Sequence, residues 1–404
     1  MYDALAAAAG APRVALGLSG RLLPPAASLL SLAARVPGVR SVAEVTAARL
    51  GIPPAVLPHS TFTPVFSTDA TREVLDRLGV APPPELADYA NTLYAYWRQH
   101  LDPLRARRPT AGSPLNGRTV VVTGASSGIG RTTALAVAAR GGTPLLLARR
   151  AAELEAVRAE IVAAGGRAFV YTVDLTSQES VDSCVKQLLA DHDGIDMLVN
   201  NAGRSIRRSV KLSSDRFHDF ERTMTLNYFA PVRLVLALLP HMTQRHFGHI
   251  VNVSSIGVQT NPPRFSAYVA SKAALDAFSR VVATEVVGDG VTFTNVHMPL
   301  VRTPMIAPTS LYDRFPTLSP EQAADLVVHA LEDQPKHVGT RLGTVAVVAY
   351  ALAPKLVDAV LHTAYHLFPD SPAAGGDASR RTGTPEALSR GAVVLSRLLP
   401  GVHW

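Results

Sequence analysis

The chain reads as an α/β protein built on a doubly wound parallel sheet, and three observations lead there. Val120-Val121-Val122 is a short apolar, β-branched run, as a buried parallel strand requires. A glycine-rich turn, Thr123–Gly130, follows it directly and opens into the alanine-rich segment Arg131–Arg140, which reads as a packed helix. Further on, the apolar run Ile250-Val251-Asn252-Val253 leads through Ser255 to a second helical segment, Ala267–Val287. With 404 residues, 47% of them hydrophobic, the chain has ample material for a buried core.

The first strand–turn–helix unit is where an anion is expected. Backbone N–H groups and the helix dipole converge at such a terminus. Gly124 permits the tight turn, Gly128 lets backbone approach a pyrophosphate, and Gly130 allows close helix–strand packing. The next strand, Pro144–Ala148, ends in Arg149-Arg150, where an acidic residue would accept ribose hydroxyls and repel a 2′-phosphate. An arginine pair does the opposite and favours NADP(H) over NAD(H); the alternative is a helix-capping or solvated pair.

The second unit holds groups suited to moving a proton. Tyr268 and Lys272 stand four apart and share a helix face. A phenol with a pKa of about 10 exchanges its proton poorly at neutral pH unless a cation stabilises the phenolate, and Lys272 can supply that charge. Ser255 lies at the carboxyl end of its strand, the side of an open α/β sheet where ligands bind. Its hydroxyl can hold a carbonyl oxygen while Tyr268 donates a proton.

With these residues in hand, the chain resembles the short-chain dehydrogenases/reductases over roughly residues 115 to 310. Thr123–Gly130 is similar to their T-G-x-x-x-G-x-G element, Asn200-Asn201-Ala202-Gly203 to N-N-A-G, and Tyr268–Lys272 to Y-x-x-x-K. The resemblance implies a Rossmann-type fold and a catalytic tetrad of Asn227, Ser255, Tyr268 and Lys272, with Asn227 stabilising a helix kink and a relay water. It also implies that NADP(H) meets Gly124, Ser126, Ser127, Gly128, Ile129 and Gly130 of the turn, and Arg149 beyond it. Asp174 and Leu175, after the strand Phe169–Val173, would contact adenine. Asn201, Ala202, Gly203, Tyr268, Lys272 and Pro299 complete the expected cofactor set. One departure stands out: where the family has Pro-Gly after its sixth strand, this chain has Pro299-Leu300, so less backbone freedom is expected there.

A finer resemblance concerns the substrate. Asn201–Arg208, Asp215–Met224 and Met298–Pro308 are similar to bacterial fatty acyl-CoA reductases, which implies NADPH-dependent reduction of an acyl-CoA or acyl-carrier-protein thioester to an aldehyde, or on to the alcohol. Arg204, Arg207 and Arg208 could meet CoA phosphates or an acidic carrier surface, or form a solvated basic loop. Two alternatives stay open: a reductase of ketones or 3-oxoacyl groups, and a non-catalytic NADP(H)-binding scaffold.

The remaining features set the organisation. Net charge of +7 suits anionic partners, but scattered arginines, 6% aromatics and the lack of a recognition motif argue against nucleic acid. The single cysteine, Cys184, forms no disulfide and is expected to pack. His241, His246 and His249 lack accompanying Cys or carboxylate ligands, so no metal site is expected. Phe217, His218, Asp219 and Phe220 are expected to divide between packing and surface. Residues 1–104 form a helical extension, with patches at Thr71–Leu78 and Leu86–His100. Tyr89–Pro103 resembles the end of the first domain in two-domain bacterial acyl reductases, which would make the extension a remnant of a second reductase domain. Residues 105–114 read as a linker, 115–340 as the reductase domain, and 341–404 as a helical extension with a flexible stretch at 370–390. Leu356, Val357, Val360, Leu361, Ala364 and Leu367 form a helical stripe for domain packing, with peripheral membrane docking as the second reading. The start of the chain lacks a basic region before an apolar core, and Leu22–Ala34 is too short to span a bilayer. A cytoplasmic, homo-oligomeric protein is expected.

Overall fold

The computed structural model describes residues 67–81, 84–96, 112–305 and 317–367. The expectations for Leu22–Ala34, most of the 105–114 linker, the 370–390 stretch and the last residues fall outside these. The chain divides into two units, residues 1–108 and 109–404. In the first, α1 (Asp69–Leu78) ends at Gly79, whose left-handed φ of 64° lets its N–H close on the Asp76 carbonyl. Helix α2 (Leu86–Tyr96) follows, with Ala90 buried.

The second unit is built on seven parallel strands in the order β3-β2-β1-β4-β5-β6-β7. They are β1 (Thr119–Thr123), β2 (Thr143–Ala148), β3 (Phe169–Thr172), β4 (Met197–Asn200), β5 (Gly248–Val253), β6 (Val291–Val296) and β7 (His337–Val338). The connecting helices are α3 (Gly128–Ala139), α4 (Ala151–Ala163), α5 (Gln178–Asp191), α6 (Phe217–Met224), α7 (Ala230–Gln244), the short α8 (Gly257–Thr260), α9 (Ser266–Val286) and α10 (Pro320–Asp333). Helices α11 (Arg341–Leu352) and α12 (Pro354–Leu367) follow the last strand.

Strand side chains alternate between two cores because successive Cβ atoms point to opposite faces. Val120, Val122, Leu146 and Val251 face one layer with Val137, Leu154, Ile161 and Val327. Val121, Leu145, Leu147 and Ile250 face the other with Leu188, Leu234, Leu238 and Phe293. Cys184 packs in this second layer, where burial pushes its thiol up to about 11. The helical run Phe217–Gln244 is long and apolar enough to cross a bilayer, but its Leu234, Val235, Leu238 and Met242 are buried against the sheet.

Strand order reverses between β1's neighbours β2 and β4, so a crevice opens at the carboxyl ends of β1 and β4. Thr123 ties its two sides together. Its Oγ1 donates to the Val199 carbonyl (3.1 Å) and accepts from the N–H groups of Asn201 (2.9 Å) and Ala202 (3.0 Å). The Asn201 Nδ2 returns a bond to the Thr123 carbonyl at 2.9 Å. At the opposite end of the strands, Arg118 and Asp196 form a buried ion pair at 3.2 Å, with the guanidinium also 4.1 Å from the Phe247 ring centroid.

Several polar expectations are revised. Asp219 is buried, at 5% exposure, whereas Phe217 is 70% exposed. The reason is electrostatic: Arg208, Arg216 and His218 all lie 3.4 Å from the Asp219 carboxylate. Arg208 is therefore committed across to Asp219 on α6. The three histidines do not cluster: His249 is buried on β5, bonds Ala330 and Thr292, and is pulled down to about 4 by burial. His241 accepts the Ile195 N–H. Among the described residues no group of His, Cys, Asp or Glu could hold a metal ion. The stripe on α12 is split, since Leu356 and Val360 are 66% and 61% exposed while Val357, Leu361 and Ala364 are half-buried.

Replacing Thr123 by Val keeps the shape but leaves the half-buried Ala202 N–H without its acceptor, while the Asn201 N–H keeps the Val199 carbonyl at 3.1 Å. Thr123→Val is expected to lower unfolding stability by about 1–2 kcal/mol, read as a lower urea midpoint at unchanged slope.

Candidate active site

The glycine-rich turn is shaped by close approach. Gly124 has φ 67°, and a Cβ there would sit 3.1 Å from the Ala202 Cα. A Cβ on Gly130 would collide with the Gly124 carbonyl and stand 2.5 Å from Asn201 Nδ2. Both positions are therefore closed to larger residues, and the backbone is left bare toward the crevice. Helix α3 begins at Ser127 with no side-chain cap and no acidic residue in its first turn, so its leading N–H groups and positive dipole end suit an anion. Ile129 packs its side chain against the core beneath.

The arginine pair divides its work. Arg150 reaches back to the turn, donating to Ser126 Oγ (3.0 Å) and Ser127 Oγ (3.3 Å), and pairs with Glu153 at 3.0 Å. Arg149 is exposed and acts at longer range on Asp174 and Arg204. The sequence reading assigned the cofactor to Arg149; the residue that touches the turn is Arg150. Asp174 is committed to an Asx turn: its Oδ1 accepts from the Thr176 N–H (2.9 Å) and hydroxyl (2.7 Å). Those bonds hold its carboxyl below the usual range. Its own N–H donates to Ser180, and Leu175 is buried beside it.

The four residues of the expected tetrad converge. Lys272, 4% exposed, donates from Nζ to the Val253 carbonyl at 2.7 Å, which fixes it below the end of β5. Ser255, two residues beyond Val253, accepts the Gly257 N–H at 3.0 Å and hydrogen-bonds the Tyr268 side chain. Asn227 lies in a single π turn, Thr225–Phe229, between α6 and α7. Its amide clamps both backbone groups of Arg204, at 2.9 Å each, and donates to Ser271 Oγ at 3.0 Å. Ser271 in turn donates to the Tyr268 carbonyl at 2.7 Å. Gly203 faces both Asn227 and Lys272: a Cβ on it would lie 3.2 Å from Asn227 Oδ1 and 3.5 Å from Lys272 Nζ.

Electrostatics set the protonation states. Burial pulls the Lys272 ammonium down to about 8, and Asp276 one turn along opposes that fall. Burial pushes the Tyr268 phenol up, offset in part by Ser255. The phenol therefore keeps its proton at neutral pH while Lys272 remains largely charged. Arg204 is pressed by burial and by the like charges of Arg222 and Arg149, which makes this side of the crevice attractive to anions.

After β6, Pro299 is buried, and Leu300 keeps an ordinary φ, absent from the four left-handed non-glycine positions. The Leu318 N–H donates to the Leu300 carbonyl at 2.9 Å and the Arg302 N–H to the Leu318 carbonyl at 2.9 Å, so a backbone clasp holds this loop. Thr303 reaches the turn at Gly128. Sequence reasoning named Arg150 as one of the arginine pair but missed Thr123 and Ser271 as site-building residues; both stood inside the quoted motifs, but nothing local showed their partners.

The short chain dehydrogenase family model matches residues 118–312. A fatty acyl-CoA reductase of Acinetobacter baylyi is 52% identical over 290 residues, covering 72% of this chain and 96% of that protein. An uncharacterized oxidoreductase of Mycobacterium tuberculosis is 47% identical over 312 residues, 76% of this chain and 90% of its own length. Among solved structures, a short-chain dehydrogenase from Streptomyces avermitilis aligns at a TM-score of 0.53 and 29% identity, over 62% of this chain and 98% of that one. A 3-oxoacyl (acyl-carrier-protein) reductase from Agrobacterium tumefaciens with NADP bound gives 0.52 and 25%, over 56% and 93%. The bare glycine cradle, the crevice at the strand-order reversal and the converging Ser255, Tyr268 and Lys272 agree with these likenesses: the chain is an oxidoreductase of the short-chain dehydrogenase/reductase family, with a site for a nicotinamide cofactor.

Proposed function

We propose that the chain reduces a fatty acyl thioester, carried on CoA or an acyl carrier protein, to the fatty aldehyde with NADPH. The observation that carries the reading is the Ser255–Tyr268 pair, tied through Ser271 and Asn227 to the loop of Arg204, which feels the like charge of Arg222. The pair suits a carbonyl oxygen and the arginines suit a phosphorylated carrier. The 52% identical relative named as a fatty acyl-CoA reductase supports the same substrate class.

In this reading Gly124–Gly130 would hold the pyrophosphate, Arg150 and Arg149 the adenosine phosphate, and Tyr268 and Lys272 the nicotinamide riboside of a bound NADPH, which would supply the hydride. Ser255 and Tyr268 donate hydrogen bonds to the thioester oxygen, polarising its carbon and stabilising the charge that develops as that carbon becomes tetrahedral. Re-formation of the C=O bond breaks C–S and expels the thiolate, which takes up a proton. The balance is thioester, NADPH and one proton to aldehyde, thiol and NADP+. Lys272, fixed on Val253, supplies the positive charge that keeps the Tyr268 phenol competent as a donor. Asn227 acts one step back, holding Arg204 and, through Ser271, the Tyr268 backbone.

The direct test follows NADPH loss, free thiol and products together with palmitoyl-CoA. Equal NADPH loss and thiol release are expected. NADPH consumption with ketones or 3-oxoacyl substrates but no thiol from any acyl-CoA would replace this reading with carbonyl reduction. Tyr268→Phe is expected to cut turnover by about 100-fold or more, the usual weight of a general acid, while NADPH still binds by fluorescence. Replacing Arg149 and Arg150 by Ala is expected to raise the KM for NADPH by about tenfold, the equivalent of one lost charge-assisted contact, leaving that for NADH nearly unchanged. The pH profile of kcat/KM for NADPH, which reports the free protein, is expected to fall as pH rises through about 8, where Lys272 loses its charge. Asp276→Asn removes the group that holds that value up and moves the limb to lower pH.

A further inference from the structure

A cavity of about 560 Å³ lies on the far side of Phe265 from Tyr268, among Val210, Pro262, Phe265, Val269, Ala270 and Tyr365. It is open to solvent, mostly apolar, and within the size of small-molecule sites. Phe265 forms part of its wall and packs edge-on against the Tyr268 ring, with centroids 6.4 Å apart. Its other wall comes from α12, beyond the residues matched by the family model.

One residue of α12 joins it to both loops of the site. The Tyr365 hydroxyl hydrogen-bonds Ser209 Oγ at 3.0 Å, on the loop after β4. Its carbonyl accepts from Arg264 Nη1 at 2.9 Å, on the loop before α9, and the same guanidinium lies 4.1 Å from its ring centroid. Lys211 Nζ stands 5.8 Å from that ring. The arrangement is held at a cost, because Arg264 has φ 73°, a left-handed conformation unfavourable to an arginine. Its carbonyl, accepting the Arg208 N–H at 2.7 Å, ties the two loops directly. Three bonds thus fix this left-handed loop beside the apolar space.

Resting on the thioester reading, we propose that this cavity is the acyl-chain subsite and that Tyr365 of the C-terminal helix is its roof. The occupant is a long unbranched acyl chain. Apolar walls take its methylenes, while the carrier, at the other end of the thioester, stays on the Arg204 side of the crevice. Phe265 lies between the chain and the reacting carbon at Tyr268, so loop position and chain length are read by the same side chain.

Two measurements on the full chain test this. The first is saturable binding of the fluorescent fatty acid cis-parinaric acid, displaced by palmitoyl-CoA at far lower concentration than by hexanoyl-CoA. The second is Ala270→Phe, which fills the cavity and is expected to lower the ratio of kcat/KM for palmitoyl-CoA over hexanoyl-CoA by about tenfold, the weight of about two methylenes denied burial. NADPH binding confirms that the variant is folded. Thiol release from palmitoyl-CoA, with that ratio unchanged and cis-parinaric acid bound weakly or not displaced, would overturn the subsite and leave thioester reduction standing. Saturable, chain-selective cis-parinaric displacement without thiol release would support the subsite and overturn the thioester reading.

Discussion

The site depends first on the clasp between the ends of β1 and β4. A parallel sheet whose strand order reverses splays its loops apart there, which creates the crevice but leaves its walls unsupported. Thr123 spans the gap with one hydroxyl, donating once and accepting twice, so a single buried oxygen fulfils its full hydrogen-bonding capacity. Asn201 closes the ring from the other side and, in doing so, occupies the space that makes glycine obligatory at 124 and 130. The cradle is bare because its neighbours are packed against it.

From that clasp the loop after β4 passes Gly203 to Arg204, where Asn227 takes over. A π turn places this amide so that it grips the backbone of Arg204 and, through Ser271, the helix carrying Tyr268 and Lys272. Three segments far apart in sequence are thereby held at fixed separation. The same burial that permits this lowers the pKa of Lys272 and raises that of Tyr268. Position and protonation are two consequences of one packing arrangement.

Around this centre the charge distribution is divided by role. Arg118, paired with Asp196 at the opposite end of the strands, and Arg208, paired with Asp219, neutralise buried carboxylates. Arg204 feels the like charges of Arg222 and Arg149, which favours an anion on its side of the crevice. Composition counts these arginines alike; only their partners separate structural charge from charge offered to a ligand. The C-terminal helices extend the division, since α12 enters the site region through Tyr365 while Leu356 and Val360 stay exposed.

The elements and the motif residues were legible because they depend on local spacing. A β-branched run, glycines at the turn and a Tyr and Lys four apart each constrain their own strand, turn or helix, and these determined the α/β class and where Ser255, Tyr268 and Lys272 stand. What the sequence left undecided was every contact between elements. Arg149 and Arg150 are equivalent as neighbours in the chain, and only the fold brings Arg150 into bonding distance of Ser126 and Ser127. Asp219 looks like a surface carboxylate until Arg216 and His218 beside it and Arg208 from a separate loop gather on it. Leu300 signals only reduced backbone freedom, and the bonds that hold its loop come from Leu318, in a later segment. Tyr365, about a hundred residues beyond Tyr268, has no local signal that ties it to the site. Spacing along one element specifies which residues share a face; which faces meet is decided only when non-local apolar burial closes the sheet between its helices.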